Sequence, residues 1–195
     1  MLVDTESDAI LISPVGAPGE QEMIGNRPTV LVAPSLLHAK HLMPARTHFL
    51  TRAVWGPLGF GDKHPEHAGA KVFGVDPWPY GHVLPFVAVE GAPKRNEVVF
   101  FHPASRTLYT ADLVFAISEP KGFLAPLAFR AMGVHKRFAM AKPWQHWVKD
   151  RPAFRRSMEE ILAWDFDRIA MAHGDIVGTG GRELLIAALR ERDLL

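Results

Sequence analysis

Three short apolar runs in this 195-residue chain each end in a side chain able to hold a metal ion, and this pattern restricts the fold more than any other. Thr29-Val30-Leu31-Val32-Ala33-Pro34 leads into His38-Ala39-Lys40-His41. Thr107-Leu108-Tyr109-Thr110-Ala111 ends at Asp112, and Ala170-Met171-Ala172 ends at His173, followed by Gly174-Asp175. Apolar runs of about four to eight residues bounded by turn signals mark buried strands. A strand presents one side chain at its tip, so three such runs can bring donors from three segments to one edge of a sheet.

The rest of the chain fits sheets with helices on their outer faces. Residues 9–14 and 29–33 read as buried strands closed by Pro14 and Pro34. Residues 44–53 read as a short helix with Pro44 in its first turn. A Gly-, Pro- and His-dense stretch then runs from Trp55 to Gly81, with one short strand at 71–75. Strands follow at 82–89, 97–102 and 107–111, the last two joined by the hairpin turn Pro103-Ala104-Ser105-Arg106. Helices are predicted from Phe123 to Met132, from a cap at Asp150 through Phe154, Met158, Ile161 and Leu162, and after Thr179-Gly180-Gly181. A strand at 168–172 lies between the last two. The order matches an α/β chain folding as one domain over residues 1–195.

Composition narrows the function. An apolar fraction of 48% with 22% charged residues is that of a globular protein with a sizeable core. A formal net charge of +1 speaks against a dedicated nucleic-acid binder. With no cysteine, thiolate zinc sites, disulfides and cysteine nucleophiles are excluded. No apolar stretch approaches the length of a transmembrane segment. Asp4, Glu6 and Asp8 stand where a secretory signal would be basic, so a cytoplasmic location is expected.

From about Ile10 onward the chain resembles the metallo-β-lactamase superfamily. The phrases that carry the resemblance are Ala33-Pro34-Ser35-Leu36-Leu37-His38, then Phe101-His102-Pro103-Ala104-Ser105-Arg106-Thr107-Leu108 with Asp112-Leu113-Val114-Phe115, and His173-Gly174-Asp175. They look like a divergent branch of unknown function. The resemblance implies a shortened αββα sandwich, two mixed β-sheets covered by helices.

It also implies an incomplete metal site. Active members carry the pattern H-x-H-x-D-H, which falls here on Leu36, His38, Lys40 and His41, so one histidine has become leucine and the aspartate lysine. The Gly-His-Thr turn of active members reads Gly91-Ala92-Pro93-Lys94-Arg95-Asn96-Glu97, without histidine. The bridging aspartate matches Asp112 and the last histidine matches His173. A complete site holds two metals about 3.5–4 Å apart that share a hydroxide, and this chain lacks the donors for it.

Two arrangements remain open. In one, Lys40 pairs with Asp112 and replaces the missing positive charge, and the protein is non-catalytic, binding a small-molecule ligand or a partner through a pocket that includes Lys40 and Asp175. In the other, Lys40 points away, and His38, His41, Asp112 and His173 hold one divalent metal (zinc, iron or manganese) in a hydrolase of an ester, amide or phosphate. The cofactor expectation is therefore none or one metal.

Other residues offer weaker signals. His64-Pro65-Glu66-His67 has ligand-type side chains in a loop. Glu97 and His102 lie at an odd offset along one strand, which puts them on opposite faces. Arg106 with Ser105 and Thr107 is a candidate anion contact at the hairpin. A basic stretch, residues 130–156, carries eight Lys/Arg against the single acid Asp150, with Trp144, His146 and Trp147 inside it, and suits phosphate-bearing ligands, an anionic membrane surface, a partner or a solvated face. Those tryptophans, with the segment 123–127, are candidates for a lid or a homo-oligomer interface.

Overall fold

Residues 1–120, 122 and 124–195 are described by the computed structural model, and they divide into two units, Met1–Pro79 and Tyr80–Leu195. In the first unit the strands are β1 (Leu2–Asp4), β2 (Ala9–Ile12), β3 (Thr29–Val32), β4 (Thr51–Gly56) and β5 (Lys71–Val72). They form one sheet in that order, antiparallel between β1 and β2 and parallel from β2 to β5. Every residue of β2 and β3 is buried, which is why both read as unbroken apolar runs rather than alternating ones. The helices α1 (Pro18–Ile24), α2 (Leu42–His48) and α3 (Phe60–Lys63) connect the strands. Leu11, Leu31, Leu42, Phe49 and Phe60 pack together in this unit's core.

Two sequence expectations change here. The helix expected over 44–53 instead spans Leu42–His48; Phe49 is extended, and Thr51 opens β4 opposite Thr29 of β3. Thr51, Val54 and Trp55 suit a pleated, half-buried surface better than a helix. The run at 71–75 shortens to two residues because Gly74 turns the chain at φ +82°.

In the second unit β6 (Phe86–Ala88), β7 (Val98–His102), β8 (Thr107–Thr110) and β11 (Arg168–Met171) form a sheet in the order β11-β8-β7-β6. β7 is antiparallel to both its neighbours, and β11 is parallel to β8 with Met171 opposite Thr110. A separate antiparallel pair joins β9 (Phe115–Ala116) to β10 (Phe138–Ala139). The hairpin expected at 103–106 is present, with a 3-10 turn over Pro103–Ser105 and Arg106 at φ +49°. The strand expected at 82–89 contracts to β6, because hydrogen bonds from Val83 and Leu84 to the Tyr80 carbonyl make a turn and Pro85 has no N–H to give a ladder.

The second unit's helices are α4 (Ala125–Met132), α5 (Trp144–Trp147), α6 (Arg151–Leu162) and α7 (Gly181–Glu191). Asp150 caps α6 as its sequence predicts, its carboxylate accepting the Ala153 N–H at 3.0 Å. The apolar stripe Phe154, Met158, Ile161 and Leu162 is buried with Phe101, Leu108, Trp144 and Leu189 in one core. The helix expected from Phe123 begins at Ala125, and Phe123 itself lies outside the described residues. No helix among the described residues is long and apolar enough to cross a membrane.

Candidate functional site

Asp112 and His173 lie at matching places in the second unit, each two residues past the end of its strand, and the parallel register of β8 and β11 brings them side by side. His173 Nε2 is 3.3 Å from Asp112 Oδ1. Asp112 is buried, whereas the His173 side chain is 46% exposed, so the pair opens to solvent from the imidazole side. The imidazole stacks on Phe115, with centroids 5.5 Å apart and planes within 9°. Its backbone is fixed too: the Ala116 N–H donates to the His173 carbonyl, and the Asp175 N–H donates to the Ala116 carbonyl at 2.8 Å. Gly174, at φ +125°, is required at this crossing, because a Cβ there would strike the Ala116 backbone.

The other Asp112 oxygen faces a cation. Arg95 Nη1 is 3.6 Å from Oδ2, and its guanidinium lies 3.5 Å over the Trp147 ring. Arg95 belongs to the segment where the resemblance expects a metal-binding histidine. Planar, always charged and weakly hydrated, a guanidinium suits a stacked position against a buried carboxylate.

Glu97 holds the Asp112 turn in place. Its buried carboxylate accepts three backbone N–H groups, from Ala111 at 2.8 Å, Asp112 at 2.9 Å and Leu113 at 3.2 Å. Burial, and next the negative charge of Asp112, push the Glu97 carboxyl up to about 8, against the pull of those donors. Trp144 secures the same turn from the other side, its indole N–H donating to the Asp112 carbonyl at 2.8 Å.

In the first unit His38 sits in the turns between β3 and α2, where its Nδ1 is 2.7 Å from Ser13 Oγ. Ser13 follows β2 at φ +51°, an uncommon conformation for serine. His41 is the N-cap residue of α2 and is partly exposed. Lys40 is exposed in the same turn, and Asp175 is exposed beyond His173. The guanidinium that faces Asp112 within the second unit is that of Arg95.

The weaker candidates divide among other roles. His64 Nε2 meets the Leu36 carbonyl at 2.9 Å. His67 is buried against Phe60, with no hydrogen-bond partner on either ring nitrogen among the described residues, and burial lowers its pKa. His102 Nδ1 bonds Ser105 Oγ at 2.7 Å, while Glu97 serves the Asp112 turn. Arg106 is paired at 2.7 Å with Asp165, from the segment between α6 and β11, so the hairpin tip is tied to that segment. Sequence reading passed over Arg95 and gave no role to Glu97. An acid at the head of the apolar strand 98–101 is the one signal that could have marked Glu97 as a buried anchor.

The structure has the metallo-β-lactamase fold, and 120 solved chains match it. The metallo-β-lactamase from Pontibacter korlensis is 14% identical, with a TM-score of 0.57, covering 97% of this chain and 85% of that one. The metallo-β-lactamase FIM-1 from Pseudomonas aeruginosa, in its mono-zinc form, is 14% identical with a TM-score of 0.60 over 98% of this chain and 81% of that one. The chemotaxis sensor ODP, described as a peroxy diiron species, is 11% identical with a TM-score of 0.63 over 100% of this chain and 85% of that one. No family model matches the chain, and no curated protein matches it in sequence.

Proposed function

We propose that this chain is a divergent metallo-β-lactamase-fold protein whose degenerate centre, built on Asp112 and His173, binds a small-molecule ligand or a partner and does not run two-metal hydrolysis. The observation that carries this reading is Arg95, a fixed cation 3.6 Å from the carboxylate that bridges two metals in active members. Pinned on Trp147, it neutralises Asp112 without a metal. A divalent ion added on the same oxygen would meet repulsion on the order of 5 kcal/mol at an effective dielectric of about 20.

The second reading is a mononuclear hydrolase, and the Asp112–His173 spacing favours it. Donor atoms bound at about 2.0–2.2 Å to one zinc stand about 3–3.5 Å apart, and this pair is separated by 3.3 Å. That spacing is compatible with both donors on one divalent ion. The ion would be held by Asp112 and His173, with His38 and His41 as the further ligands the resemblance expects, and when bound it supplies Lewis acidity. The similar structures named for zinc and for diiron support a metal without choosing between them.

Elemental mass spectrometry of untagged protein, with Arg95→Ala and His173→Ala beside it, tests both readings. The expected result is less than one equivalent of metal in the parent, with zinc taken up at least tenfold more tightly by Arg95→Ala. Two tightly bound equivalents in the parent would overturn the first reading. One equivalent lost in His173→Ala would establish the second.

A further inference from the structure

The β9–β10 pair carries the chain from beside His173 toward a cavity of the same unit. Phe115 stacks on His173, and Ile117, two residues further along, forms a bridge with His135. The cavity begins at Ser118, the residue after Ile117. Its volume is about 390 Å³, and Arg130, His135 and Lys136 line it with Ser118, Glu119 and two prolines. Arg130 comes from the last turn of α4, His135 from the bridge and Lys136 from a left-handed turn at φ +51°. Three nitrogen-bearing side chains therefore reach one cavity, one from the end of α4 and two from the turn that follows it.

His135 Nδ1 is buried and has no hydrogen-bond partner among the described residues. An orphaned buried nitrogen is disfavoured unless something bonds it. Desolvation first, then the charges of Arg130 and Lys136, lower the imidazole pKa. A carboxylate has two oxygens to spread over these donors, whereas a phosphate has three or more and a higher charge. From the cavity, the orphaned nitrogen and the charge pattern, we propose that Arg130, His135 and Lys136 form a subsite for the phosphate group of a small molecule. The placing of that molecule's other end at His173 rests on the ligand-binding reading above; the subsite itself does not.

Calorimetric titration of metal-free protein with inorganic phosphate at fixed ionic strength, with acetate as comparison, tests the subsite. One saturable phosphate site is expected, weakened by about tenfold in each of Arg130→Gln and Lys136→Gln. Glu119→Gln removes a repelling carboxylate from the cavity wall and should tighten binding, a gain that an unfolded variant could not show. His173→Ala should bind phosphate like the parent. Equal affinity in the two basic-residue variants, acetate binding as tightly as phosphate, or loss of binding in His173→Ala would each overturn the subsite. Phosphate binding that survives while no ligand is found at Asp112 and His173 would leave the subsite standing and remove the reading of the centre.

Discussion

The donors of the two units are held by different kinds of contact. His38 is steadied by a hydroxyl from a neighbouring loop, side chain to side chain. Asp112 sits on a turn whose three consecutive N–H groups close on one buried carboxylate, and the carbonyl of that turn is held by an indole. Backbone-anchored geometry does not depend on the identity of the anchored side chain, so the second unit can keep its site shape while donors elsewhere are replaced. The contrast teaches that the backbone around Asp112 is held independently of the donor side chains, whereas the loop of His38 is held through its donor.

The strongest way to break this comparison is to remove the anchor. Glu97→Ala leaves three buried N–H groups without an acceptor and opens a cavity, so stability should fall by about 3–5 kcal/mol. Urea denaturation measures it; a loss below about 1 kcal/mol would mean the turn holds itself.

A pH series sharpens the same contrast. Because the Glu97 carboxyl titrates near 8 when folded and near 4.5 when free, the native state holds a proton across that window that the unfolded chain has released. Stability of the metal-free protein should therefore be greatest below pH 4.5 as far as this group is concerned. It should decline toward pH 8, by at most about 1.4 kcal/mol per unit. His67 in the first unit works in the opposite sense: its lowered pKa means stability is lost as pH falls through about 6.5 and below. Urea midpoints at several pH values, with Glu97→Gln beside the parent, separate the two; a decline toward pH 8 that persists in Glu97→Gln would assign it to another group.

The smallest effect is expected in the first unit. Ser13→Ala removes the His38 contact and should cost about 0.5–1.5 kcal/mol, with a clear change in the His38 imidazole NMR signals. A larger loss would show that the loop, too, is built around its donor.

Much of the fold was legible in the sequence because its inner strands are buried on both faces. Runs such as 9–12 and 29–32 name themselves as unbroken apolar stretches, and the capped stripe of α6 by its helical periodicity. β4 was misread because Pro44 and Ala45 favour a helix start, while its strand character depends on pairing with β3, a long-range contact. At the centre, Asp112 and His173 were legible as strand-tip donors. Arg95 was not, since its role comes from a ring more than fifty residues away in the chain. Nothing in the local sequence says where a guanidinium will find its carboxylate.

The parallel register of β8 and β11 makes the Asp112–His173 pair a matter of counting. Met171 lies opposite Thr110, and each donor follows its strand by the same two residues. Losing a single residue between Tyr109 and Asp112 would turn the carboxylate toward the opposite face, which no side-chain substitution elsewhere could undo. Insertions in the long excursion between Ala116 and Arg168 would leave that spacing untouched. The centre is thus intolerant of slippage at its edge, and the chain between can be exchanged only where it leaves Trp144 and Trp147, which hold the Asp112 turn and Arg95, in place.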